Sequence, residues 1–176
     1  MKTVRLTTNA MMAAMCAVLG YVALDLGNIK ITFESLPVLL AALMFGPVDG
    51  MLVGGIGTLI YQLLRYGVSA TTLLWILPYV VCGLVVGGIA KASRFGNTRK
   101  QLIAAVIMAE LLIMALNTVA IYADSKIYGY YSFAFVFGSL IIRFVIALVK
   151  GVAFGCLIPV ILRYMGRYTK NTRSDY

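Results

Sequence analysis

Six apolar runs, each closed by charged or turn-forming residues, divide this sequence and restrict its fold more than any other feature. They lie at about residues 6–25, 35–46, 47–66, 71–92, 99–123 and 132–166. Most are long enough for a helix to cross about 30 Å of hydrocarbon. Mean hydropathy is +0.96. Only 12% of the 176 residues are charged, where a soluble domain carries about 25%. Lipid must therefore solvate much of the chain. The expected fold class is an all-α membrane protein with six transmembrane helices in one compact bundle. Residues 1–167 form the bundle, and 168–176 form a polar cytoplasmic tail.

Charge sets the orientation. Lys2 and Arg5 precede the first run, Lys91, Arg94, Arg99 and Lys100 lie between the fourth and fifth, and Arg163, Arg167, Lys170 and Arg173 follow the sixth. Together they are ten of the fifteen Lys and Arg residues. Cations collect on the cytoplasmic side, so both ends face the cytoplasm and the number of crossings between these clusters is even. The run at 35–46 is short for a span, yet parity requires it to cross, with help from its loop or a thinned bilayer. Asp25, Glu34 and Asp124 then fall on the outer side. The net charge of +9 is explained by this pattern and not by nucleic-acid binding. The opening residues imitate a signal peptide, but no small-residue cleavage site leads into a soluble chain, so a retained first helix is expected.

Local signals place the helix ends. Ser35 reads as an N-cap with Pro37 in the first turn, Gly46-Pro47 separates helices two and three, and Thr98 with Gln101 has capping-box spacing. Cys16, Cys82 and Cys156 lie in three separate runs and read as small apolar fillers. Gly50, Gly54 and Gly57, then Gly83 and Gly87, then Gly151 and Gly155 form small-residue stripes that let helix backbones approach. Ala10 with Ala14, and Ala13 with Ala17, do the same in helix one. Met11, Met12 and Met15 lie between them as an adaptable, exposed surface suited to a partner protein.

Charged groups at bilayer depth need a reason. Glu110 lies in helix five, and Arg143 and Lys150 share a face of helix six. Glu110 pairs with Lys150 or with Arg143 on this reading. Asn117 lies seven residues beyond Glu110 on the same face, nearer the outside. Arg65 ends helix three, either snorkelling to headgroups or meeting a ligand. Trp75 and Tyr79 read either as an interfacial belt or as a stacking surface. Lys30, Arg65, Trp75, Asn117 and Arg143 converge on the outer half, where they suit a planar, hydrogen-bonding anion. The sequence has no histidine, no Walker A motif and no metal-spaced cysteine cluster. No catalytic residue, metal or cofactor is expected, and the chain is not read as an enzyme.

Several stretches carry a family resemblance. They are NAMMAAM in helix one, KITFESLPVLLAALMFGPVDGMLVGGIGTLI at 30–60, LWILPYVVCGLVVG at 74–87, LNTVAIYADSKIYG at 116–129 and the last helix with Arg143. Together they resemble the substrate-binding S component of energy-coupling factor (ECF) vitamin transporters, the folate family most closely. The resemblance implies a six-helix plasma-membrane protein with an outward-facing vitamin site. It also implies that the helix 1–2 loop acts as a lid. The implied partners are a coupling transmembrane protein and two cytoplasmic ATPases, with Ala10 and Ala14 docking on the coupling protein and Ala13 and Ala17 sharing the contact. Toppling of the loaded S component would then release substrate inside. One position departs from the pattern, since residue 58 is Thr where many folate-type members carry an acid. The alternatives are an S component for pantothenate, a hydroxymethylpyrimidine or a queuosine precursor, or else a small membrane enzyme or assembly factor.

Overall fold

The computed structural model describes residues 2–26, 29–92 and 99–171. The side chains of Lys2, of residues 24–30 and of residues 165–171 lie outside that description, as do Thr98 and the last five residues. The helices are α1 (Lys2–Tyr21), α2 (Ser35–Phe45), α3 (Pro47–Tyr66), α4 (Thr72–Ala92), α5 (Arg99–Ile127), a short α6 (Phe133–Phe137) and α7 (Leu140–Asn171). Among the described residues, α3, α4, α5 and the α6–α7 unit are long and apolar enough to cross a membrane. With α1 and α2 they make the six-helix bundle.

Three differences from the sequence reading have clear causes. α1 stops at Tyr21, and the polar stretch after it forms a small antiparallel hairpin, β1 (Leu24–Leu26) with β2 (Ile29–Ile31), pairing Asp25 with Lys30. α5 runs on to Ile127, because Ala123–Ile127 contains no breaker. It ends where Gly129 takes a positive φ of 76°. The sixth run is broken at Gly138-Ser139: Ser132 caps α6 by accepting from the Phe135 N–H at 3.2 Å, and α7 starts afresh. α7 runs from Leu140 to Asn171.

Ser35 does not cap α2. Glu34 holds the N-cap position without a side-chain cap bond. The short α2 is apolar all round because it is buried all round. Val38, Leu39, Ala41 and Ala42 are fully enclosed. It packs on α1, α3, α4 and α7. Gly46 turns the chain sharply into α3 with φ of 103°, a conformation that favours glycine, and Pro47 starts the next helix.

The small residues are seams inside the chain. A Cβ at Gly54 would meet the Tyr79 carbonyl, one at Gly83 the Gly50 backbone, and one at Gly87 the Pro47 backbone. Gly151 and Gly155 face Ile107 and Ile103, which fixes the register of α7 on α5. Ala13 and Ala17 are buried, and Ala13 lies against Gly57 with Cys16. They are therefore unavailable to a partner, which corrects the shared-contact reading. Met12 is buried too, whereas Met11, Met15, Ala10 and Ala14 stay exposed. Cys16 and Cys82 fill the core as expected, but Cys156 is exposed on α7.

One end of the bundle gathers the cations. The Arg5 guanidinium donates to Asp49 and to the Phe45 carbonyl, and Asn9 also donates to Asp49, tying α1 to the corner between α2 and α3. Gly87 against Pro47 brings the end of α4 to that corner, and Gly155 against Ile103 brings late α7 to early α5. Arg5, Lys91, Arg99 and Arg163 thus share the cytoplasmic end. Gly83→Ala is expected to destabilise the bundle by about 1–3 kcal/mol through overpacking. Gly88→Ala, whose added Cβ meets nothing within 4 Å, should change stability by less than about 0.5 kcal/mol. Thermal unfolding in mild detergent reads both.

Candidate functional site

α2 has only eleven residues, which span about 16 Å. It fills the cytoplasmic half of the bundle and starts at Ser35, level with Lys150 of α7. Outward of that point lies a cavity of about 550 Å³. Thr32 and Glu34, just before α2, line it together with Ile31 of β2. Tyr61, Gln62 and Tyr66 enter from the outer end of α3, Thr71 from just before α4, and Trp75 and Tyr79 from the outer half of α4. α5 supplies Glu110 from near its middle and Asn117 and Asp124 from its outer half, and α7 supplies Arg143 and Lys150.

The deepest polar group is an ion pair. Lys150 Nζ lies 3.1 Å from Glu110 Oε2, with the Glu110 side chain 2% exposed. Lys150 also reaches Ser35 Oγ at 3.5 Å and lies over the Phe154 ring. Of the two pairings open to Glu110, the structure adopts Lys150. Seven residues outward on each helix stand Asn117 and Arg143. Arg143 Nη1 and Glu110 Oε1 are both buried with no hydrogen-bond partner among the described residues. In a low-dielectric site such groups are costly unless something else meets them.

Aromatic rings build the rest of the wall. Tyr79 is buried, with its hydroxyl 3.4 Å from Thr32 Oγ1. This places Tyr79 in the cavity wall, not in an interfacial belt. Trp75 lies one turn outward on the same helix. At the outer mouth, Tyr130 donates to Asp124 and stacks edge-on against Phe135 at 5.5 Å. Tyr122 packs edge-on against Tyr131, with Lys126 Nζ 4.3 Å from the Tyr131 ring centre. Partial burial first, and then the Asp124 bond and charge, push the Tyr130 phenol up to about 12. It therefore remains a donor at physiological pH.

The sequence-based candidates divide. Trp75, Asn117 and Arg143 meet at the cavity. Arg65 is not among its lining residues. It donates to the Tyr21 carbonyl at 3.1 Å, meeting an acceptor at the C-terminus of α1, and lies 5.9 Å from the Tyr21 and Tyr66 rings. Lys30 sits in β2, with its side chain outside the described residues. Thr58 is buried and is not part of the cavity lining, so its departure from the folate-type pattern leaves that wall unchanged. Glu34 and Asp124, read from sequence only as acids of the outer side, are buried cavity residues. The available signal was position: Glu34 directly precedes an all-apolar helix, and Asp124 lies two turns beyond Asn117 on one α5 face.

Comparison with known proteins decides the family. The family of the ECF transporter, substrate-specific component, matches residues 4–165. The chain belongs to that family. No curated protein matches it. The fold is similar to the S component of a bacterial ECF transporter, with a TM-score of 0.67 at 22% identity, covering 97% of this chain and 99% of that one. It is also similar to the S component for biotin from an ECF-type ABC transporter, with a TM-score of 0.68 at 17% identity and 92% coverage of each chain. This S component is thus a multi-pass plasma-membrane protein that binds a transport substrate and is not an enzyme.

Removing one member of the buried pair tests its energetics. Lys150→Met leaves Glu110 charged and unpaired, and is expected to cost about 3–5 kcal/mol. Glu110→Gln with Lys150→Met should recover most of that loss, measured by thermal unfolding in the same detergent.

Proposed function

We propose that this S component captures a flat, heteroaromatic vitamin from outside the cell, folate first among the candidates. The observation that carries this reading is the outer-half cavity, where aromatic walls enclose the unpaired Arg143 Nη1. Its volume of about 550 Å³ falls within the range of small-molecule sites. In this reading the ring system stacks on Trp75 and an acceptor or acidic group meets Arg143, with Asn117 adding amide hydrogen bonds. Lys30 and Arg65 attract the anion in this reading, and the loop between the first two helices acts as the lid.

Delivery requires partners. The proposed assembly is this chain, a coupling transmembrane protein and two cytoplasmic ATPase subunits. Ala10 and Ala14 dock on the coupling protein. Their exposure on α1, beside Met11 and Met15, supports the assignment, because α1 offers a small-residue face that its own bundle does not use.

Native mass spectrometry of the chain, purified in mild detergent from its own host, tests the reading. Retained folate together with ATPase subunits is the expected result. Retained biotin or pantothenate would replace the vitamin, and absence of both vitamin and ATPase would reject the transporter reading for this chain. Arg143→Ala should weaken folate binding by about tenfold or more, and a change below about threefold would remove Arg143 from the site. Ala10→Trp with Ala14→Trp should abolish ATPase co-purification while leaving the folate Kd unchanged. An intact complex would sink the docking assignment.

A further inference from the structure

The cavity has two polar levels, and their opposite character defines a ligand. The register that sets Gly155 on Ile103 and Gly151 on Ile107 also sets Lys150 level with Glu110 and Arg143 level with Asn117. The two levels are seven residues apart on both helices, about 10 Å. At the deep level Lys150 engages Oε2 of Glu110, and Oε1 has no partner among the described residues. That is an unmet acceptor. At the outer level Arg143 Nη1 is a donor with no partner among the described residues.

The charge balance of the wall agrees. Its described side chains include three carboxylates, Glu34, Glu110 and Asp124, against two cations, Arg143 and Lys150. Glu34 and Glu110 both belong to the deep half. A carboxylate entering first would approach two buried acids in a low dielectric, where like charges repel strongly. A nitrogen donor entering first would find the free oxygen of Glu110.

We infer that the ligand is two-ended: a heterocyclic N–H edge, an amino group on a ring or an amidine-like pair, enters first and donates to Glu110, and one acceptor or anionic group behind it is held by Arg143. This rests on the vitamin-capture reading and selects among vitamins by the end that enters first. Donor-free acids do not fit the deep level. A ligand with more than one negative charge fits only if the surplus stays at or beyond Arg143.

Binding constants of the full chain in lipid nanodiscs test this. The probes are folate and 4-amino-5-hydroxymethyl-2-methylpyrimidine, each against its analogue lacking the ring amino group, with nicotinate and lipoate as donor-free acids. At least one amino-bearing probe should bind, and loss of its amino group should weaken binding at least about tenfold. On the Glu110→Gln/Lys150→Met chain, where a neutral amide oxygen replaces the carboxylate as acceptor, the same loss should cost clearly less than on the unaltered chain. The ligand-side change is read on the unaltered protein, so it does not depend on that variant folding. If the aminopyrimidine follows this pattern and folate does not bind, the inference stands and the folate reading falls. If folate binds and its desamino analogue binds equally well, folate stands and the inference falls. Binding by the donor-free acids alone, or by no amino-bearing probe, also overturns it.

Discussion

The length of α2 organises the molecule. A largely buried, almost wholly apolar helix of eleven residues reaches about halfway across the hydrocarbon layer. On the cytoplasmic side it is the centre of the core, enclosed by Cys16, Val53, Cys82, Val86, Val106 and Ile158. On the outer side its absence leaves the surrounding helices without a central element, and that space is the cavity. Thr32 and Glu34 line the cavity where the chain leaves the hairpin for α2. The division of the bundle into a packed half and a binding half is thus a consequence of where one helix begins.

That arrangement needs close packing without help from water. Lipid is as apolar as leucine, so helices associate through shape and a few polar contacts. Glycines at 50, 54, 83 and 87 bring α3 and α4 into backbone contact around α2. Arg5 and Asn9 on Asp49 close the cytoplasmic corner. The Glu110–Lys150 pair sits at the boundary between the halves, where Lys150 also reaches Ser35 at the start of α2. The charges that are costly in a membrane therefore lie where the packed core ends and the cavity starts.

Outside this scaffold the helices present apolar residues to lipid. Leu64, Leu73, Met108, Ile141 and Val149 are all exposed. On α1 the exposed residues include Ala10, Met11, Ala14 and Met15 beside Val4, Leu6 and Val18. The two alanine pairs of helix one differ only in register, and packing against Gly57 consumes Ala13 while leaving Ala10 and Ala14 outward. The same register places Arg5 and Asn9 on the inner face.

By itself the sequence determined the membrane class, the six-span bundle, the corner at Gly46-Pro47, the cytoplasmic cation cluster and the presence of polar residues at depth. These follow from hydropathy, charge and turn chemistry, which act along the chain or within one helix. Tertiary structure decided which polar residues meet. Glu110 chooses Lys150 over Arg143 through the register of α7 on α5. Arg65 turns to a carbonyl of α1 that is 44 residues away. Glu34 and Asp124 are buried in the cavity wall. Each of these outcomes depends on contacts between distant segments, and helical periodicity reports only the face a residue occupies, not the neighbour that face will find.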